Sequence, residues 1–277
     1  MAYFQHNNVN FHYQEIGSGD AIIALHGLSQ HSAYWIETGV AQALAKHYRV
    51  IALDFRAHGL TTIEGDDKGY HIDTLQADIA ALADHLGLDK FHLLGHSTGG
   101  MIAARFAMTQ SDRLLSLMLT NCGSSTNFSN KDVATNAAAL EFLAMGFENF
   151  SWQQIVSALR MKSGPLFAGV AAAANSSELF DKALSLMAAG NGKSIAQFVR
   201  HFYNDPDPKI EGLKNISCPT LIISAELDWY FSEPSQIMAQ HIPNNKHIEG
   251  KSMGHMTALE APEWLSLQLT HFLSSLA

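Results

Sequence analysis

Three residues that together could make a hydrolytic nucleophile stand far apart in the chain: Ser97, Asp228 and His255. Ser97 lies in Gly95-His96-Ser97-Thr98-Gly99-Gly100, a G-x-S-x-G pattern between an apolar run ending at Leu94 and a helical pattern beginning near Met101. In a strand–turn–helix setting this pattern makes a nucleophile elbow. Such a turn forces the serine into a strained backbone conformation that lifts its hydroxyl above the sheet edge. Neighbouring chain then passes so close that a Cβ at Gly95 or Gly99 would clash. The helix that follows aims its N-terminus at the reacting oxygen and favours developing negative charge. A glycine-rich turn that only connects, or that holds a phosphate, would carry the same letters; the flanking strand and helix favour the elbow.

A serine hydroxyl needs a base, and the base needs an orienting group. Ala225-Glu226-Leu227-Asp228 follows the buried strand ending at Ser224, at the sheet edge where parallel sheets carry their ligands. Glu226 is the rival acid, but Asp228 has the better offset from the strand end. Ser252-Met253-Gly254-His255-Met256 follows the last short strand and supplies the base. The chain order Ser, Asp, His is one in which such triads occur. The main-chain N–H of Leu28, in His26-Gly27-Leu28, and that of Thr98 can form a two-donor oxyanion hole. The chemistry expected is acyl transfer to water: Ser97 attacks, His255 moves the proton and Asp228 orients His255. His26 is expected to brace its loop without transferring protons.

The elements that position these residues are legible as alternating segments. Short apolar runs read as buried strands: Ala21–Leu25, Arg49–Leu53, Phe91–Leu94, Leu115–Leu119 and Pro219–Ser224, with Lys246–Ile248 as a last short one. Between them run helical patterns such as Leu75, Ile79, Leu82 and Leu86, closed by Gly87. Strand and helix in alternation predict an α/β fold with a mostly parallel, eight-stranded sheet flanked by helices. Val9 to Ile16 alternates and ends in Gly17-Ser18-Gly19-Asp20, which predicts a hairpin there and an antiparallel start. From 123 to 207 the strand signal is lost in an Ala-, Met- and Phe-rich stretch with helical spacing (Leu140, Leu143, Met145, Phe147). The expected organisation is a core of residues 1–122 and 208–277 with a helical cap inserted at 123–207. A helix from about Pro234 to His241 and a closing helix from Pro262 to Leu276 complete the core.

Composition sets limits. The 277 residues are 47% hydrophobic and 16% charged, enough for a sizeable core. A net charge of −9 without a Lys/Arg cluster argues against nucleic acid and against anionic membrane surfaces. No basic, apolar leader and no spanning-length apolar run is visible, and two cysteines make no disulfide framework. A cytoplasmic protein is the expectation.

On these stretches, together with Asp54-Phe55-Arg56-Ala57-His58-Gly59, the chain resembles the α/β-hydrolase superfamily, near its small carboxylesterase and enol-lactonase branch. The resemblance implies a cap over the pocket, no metal and no organic cofactor. It implies a small-molecule ester or lactone as substrate, small to medium in size and largely apolar. Two usual glycines are replaced, by Ala57 and by Ala225. Asp54, Arg56 and His58 are expected to brace their loop as an ion pair. Trp229, Tyr230, His26, Phe142 and Met145 are the candidates for the pocket wall. Carbon–carbon bond hydrolases and cofactor-free perhydrolases of haloperoxidase type keep the same triad and remain alternatives, as does a ligand receptor that has retained it.

Overall fold

The computed structural model describes residues 2–65, 69–127 and 133–276. Among them nine strands form one sheet: β1 (Ala2–His6), β2 (Val9–Gly17), β3 (Ala21–Leu25), β4 (Arg49–Leu53), β5 (Thr62–Ile63), β6 (Phe91–His96), β7 (Leu114–Thr120), β8 (Thr220–Ala225) and β9 (Asn245–Gly250). Their order is β1-β2-β4-β3-β6-β7-β8-β9, with the short β5 paired to β2. From β4 to β9 along this order every pairing is parallel.

Alternate residues of the inner strands feed two separate core layers. Ile23, Leu25, Ile51 and Leu53 enter one; Ile22, Ala24, Val50 and Ala52 enter the other. A strand covered on both faces has no solvent side, so its apolar run is continuous. Leu75, Ile79 and Leu82 of helix Ile72–His85 close the first layer, with Met101 and Phe106 of helix Thr98–Gln110. Val40 and Leu44, with Leu265, Leu269 and Leu273 of helix Pro262–Ser274, close the second.

The antiparallel start is present, but the hairpin is not at Gly17–Asp20. It joins β1 to β2 through Asn7-Asn8, where Asn7 takes a φ of 54°. β2 then pairs antiparallel with β4, Tyr13 opposite Leu53, so the Gly17–Asp20 turn carries the chain past β4 to β3. Gly17 (φ 80°) is needed because the Tyr48 carbonyl occupies the space of a Cβ. The helix expected from Pro234 begins at Trp229, directly after Asp228, and Pro234 lies inside it. Asp228 stands at the N-cap position without a side-chain capping bond.

Between β7 and β8 the described residues form only helices, chiefly Val133–Asn149, Trp152–Met161, Ser176–Met187 and Gly192–Phe202. Residues 128–132 of the expected insertion lie outside the described residues. Ser151 and Gln154 open the second helix with a reciprocal capping box. Arg200 ties the first helix to the last through Glu141 and Glu148. No helix among the described residues is long and apolar enough to cross a membrane.

Candidate active site

Strand order places the candidate nucleophile. From β3 the chain fills the sheet towards β4 and then crosses to β6, so the carboxyl ends of β3 and β6 lie side by side where the winding reverses. Such reversal points open a crevice above the sheet. The loop after Leu25 and the turn at Ser97 are therefore neighbours, Leu25 being in register with Gly95. Ser97 has φ 51° and ψ −117°, a conformation that non-glycine residues rarely adopt. The glycines permit it. A Cβ on Gly99 would lie 2.5 Å from the His26 carbonyl oxygen, and one on Gly95 would lie 2.5 Å from the Gly99 carbonyl oxygen. The helix Thr98–Gln110 starts at once and is buried through Met108.

Ser97, His255 and Asp228 form one hydrogen-bonded row. His255 Nε2 is 3.0 Å from Ser97 Oγ, and His255 Nδ1 is 2.8 Å from Asp228 Oδ2. A carboxylate only accepts, so Nδ1 carries the imidazole proton and Nε2 is left to accept from the serine hydroxyl. All three side chains are buried. Phe231 stacks on the His255 ring at 5.1 Å, with the His96 ring at 5.0 Å. The rival Glu226 is exposed and accepts from the Ser252 amide instead.

Two residues that sequence reasoning missed hold this row. Asn121, just past β7, donates from Nδ2 to Asp228 Oδ2 at 3.0 Å and accepts at Oδ1 from Thr257 at 2.5 Å. It adopts φ 52°, which asparagine tolerates better than most residues. Glu260 brackets the His255 loop: its carboxylate accepts from the Gly254 amide at 2.5 Å and the Met256 amide at 3.0 Å. Burial pushes the Glu260 carboxyl above its ordinary range. An asparagine at a strand's carboxyl end was the only sequence signal for the first; the second gave none.

On the β3 side, Gln30 accepts from the Gly27 amide at 2.8 Å and fixes the loop. His26 donates from Nδ1 to the Gly27 carbonyl and accepts at Nε2 from the Phe55 amide. Burial drives its pKa well down. It is enclosed and does not reach the cavity, which removes it from the pocket wall. Among the described residues neither the Leu28 nor the Thr98 amide has an acceptor within the protein.

A cavity of ≈ 970 Å³ opens onto Ser97 and His255. Trp229 and Tyr230 line it, stacked at 4.3 Å. Phe142 and Met145 do not: they are 80% and 50% exposed on the outer face of helix Val133–Asn149. The wall comes from Leu140, Leu143 and Phe147 of that helix, together with Ile155, Leu159 and Leu166. Positions 140, 143 and 147 follow the i, i+3, i+7 rule, whereas 142 and 145 fall on another face. The expected Asp54–Arg56–His58 pair is likewise two separate contacts. Asp54 accepts a hydrogen bond from His12 Nδ1 at 2.7 Å, while Arg56 grips Asp78 through two bonds of 2.6 and 2.9 Å. His58 donates to the Arg56 carbonyl.

A family model described as alpha/beta hydrolase fold matches residues 20–262, and the chain belongs to that family. Its class is thus a hydrolase of the α/β fold. Among relatives, N-formylmaleamate deformylase of Pseudomonas putida is 37% identical over 116 residues, 42% of this chain and 42% of that protein. The enol-lactonase of Burkholderia xenovorans superposes with a TM-score of 0.80 at 20% identity, covering 99% of this chain and 100% of that one. An esterase of Exiguobacterium antarcticum gives 0.80 at 22% identity, covering 96% of each. These two structures share the fold.

Proposed function

We propose that this protein is a serine hydrolase that cleaves small to medium, largely apolar carboxylic esters or lactones through an acyl-enzyme. The observation that carries this reading is the Ser97–His255–Asp228 row at the floor of an apolar cavity. Ser97 Oγ attacks the acyl carbon as its proton passes to His255 Nε2. The resulting oxyanion rests on the Leu28 and Thr98 amides, neither of which has another acceptor among the described residues. Collapse breaks the acyl–oxygen bond, and the leaving alkoxide takes the proton from His255. Water, deprotonated by His255, then attacks the acyl-enzyme, releasing the acid and restoring Ser97. In this reading residues 123–207 are the cap and supply most of the apolar wall. Names among the relatives include a lactonase and an esterase, which fits the assignment.

Turnover of p-nitrophenyl esters and simple lactones by wild type and by Ser97→Ala tests the reading. Continuous product release, abolished in Ser97→Ala, and a fluorophosphonate adduct mapped to Ser97 are expected. An unlabelled Ser97, or ester turnover that survives its removal, would end it.

A further inference from the structure

The chain returning from the cap runs along one face of the helix that begins behind Ser97. Thr98, the first residue of that helix, is hydrogen-bonded through Oγ1 to the Tyr203 hydroxyl at 2.6 Å. Arg105 lies about two turns further on and hence on the same face. It donates to the Ser124 carbonyl at 2.5 Å, the Asp205 carboxylate at 3.0 Å and the Asp207 carbonyl at 2.8 Å. Ser124 lies on the outgoing leg of the insertion, Asp205 and Asp207 on the returning one. The legs also bond to each other, through the Thr126 and Asn127 amides to the Asp205 carbonyl and through Ser124 Oγ to the Pro208 carbonyl. The neck of the cap is thus strapped to the elbow helix at two heights.

The upper attachment falls at a sensitive place. The Thr98 amide opens the helix and so has no intrahelical acceptor to fix its direction. Its peptide plane follows a Ser97 backbone already in a strained conformation. Threonine is stiff at χ1, so holding Oγ1 also holds the backbone that carries the amide. Tyr203 is buried and lines the cavity that contains Ser97 and His255. The geometry points to Tyr203 as a positioning residue for the reaction: from the cap's return leg it sets, through the Thr98 hydroxyl, the aim of the Thr98 amide at the oxyanion. This rests on the acyl-transfer reading above.

The test is steady-state hydrolysis of a short-chain p-nitrophenyl ester by wild type, Tyr203→Phe, Thr98→Val, Thr98→Ser and the double variant Tyr203→Phe/Thr98→Val, with thermal unfolding of each. Tyr203→Phe and Thr98→Val should each lower kcat about tenfold with little change in KM, less than the ~100- to 1000-fold that follows loss of a donor itself. Because both break one link, the double variant should be no slower than the slower single one. Thr98→Ser, which keeps the hydroxyl, should recover most of the rate. Multiplying effects, an effect confined to KM, or a lowered Tm with unchanged kcat would overturn the role of Tyr203. A wild type that neither turns over esters nor labels at Ser97 would instead overturn the hydrolase reading, and this inference with it.

Discussion

Acid should unfold this protein through its buried imidazoles, in a window that their environments define. Burial holds His58 (1% exposed) at about 4, against an ordinary 6.5, although the Arg56 carbonyl and Asp54 pull the other way. Burial likewise holds His92 (6% exposed) at about 4. Each ring binds its proton more weakly folded than unfolded. From 6.5 down to about 4 the unfolded chain therefore holds more protons, and falling pH favours it. Moving from about pH 7.5 to about pH 5 should cost about 2 kcal/mol per ring, or about 4 kcal/mol for the pair. His26 and His96, also lowered by burial, act in the same direction. Against a domain stability of about 5–15 kcal/mol this is a large loss. Asp54 belongs to a lower window. Burial alone would raise it, but His12, His26 and the Leu60 and Ser32 amides bring it to about 2. Its stabilisation, present above 3.8, is lost only as pH falls towards 2. Urea unfolding followed by tryptophan fluorescence across this range measures the loss, and His58→Gln should flatten the pH dependence by about 2 kcal/mol. A stability constant within about 1 kcal/mol between these pH values, or an unchanged slope in His58→Gln, would refute the reasoning.

Asn121→Ala removes a buried donor to the Asp228 carboxylate and should cost about 1.5–3 kcal/mol of stability. It should also lower kcat in the ester assay, since Asp228 loses the bond that fixes its orientation. Ala57→Gly should raise stability by about 0.5–1 kcal/mol, because Ala57 sits at φ 68°, a left-handed conformation that strains an L-residue with a Cβ; denaturant midpoints read the change. Leu143→Ala should lower kcat/KM for long acyl chains about 5- to 30-fold, from the loss of ~1–2 kcal/mol of apolar contact. Phe142→Ser, on the outer face of the same helix, should leave it unchanged.

The parts of the fold legible in sequence were those encoded locally. Largely apolar runs marked β3, β4, β6 and β8 because two-sided burial leaves little polar alternation to confuse the reading. The elbow was legible because its residues are contiguous and Gly95 answers a steric demand from Gly99 and Gly100 within the same turn, although the demand on Gly99 comes from the distant His26 carbonyl. The opening hairpin was misplaced because Gly17-Ser18-Gly19-Asp20 has turn chemistry whichever neighbour the strand takes, and pairing with β4 is a long-range choice. The pocket wall went astray for another reason. Large apolar side chains were credited by type, although three positions of the same helix already obeyed the spacing of a buried face.

The Asn121 contact stayed hidden for a physical reason: it is a side-chain bond between segments made neighbours only by the order of strands. Asn121 reaches Asp228 because β7 lies beside β8, with Thr120 in register with Ile223, so the residues just past both strands share one edge. The same adjacency lets the Asn121 amide donate to the Ile223 carbonyl at 2.8 Å, fixing the backbone that presents its side chain. Strand order is therefore the variable missing for Asn121. Once β3-β6-β7-β8-β9 is granted, an asparagine immediately after β7 becomes a foreseeable partner for an acid immediately after β8. Glu260 and Tyr203 remain beyond that inference, since one acts from a helix after the last strand and the other from the segment between helix Gly192–Phe202 and β8. No register in the sheet reaches either position.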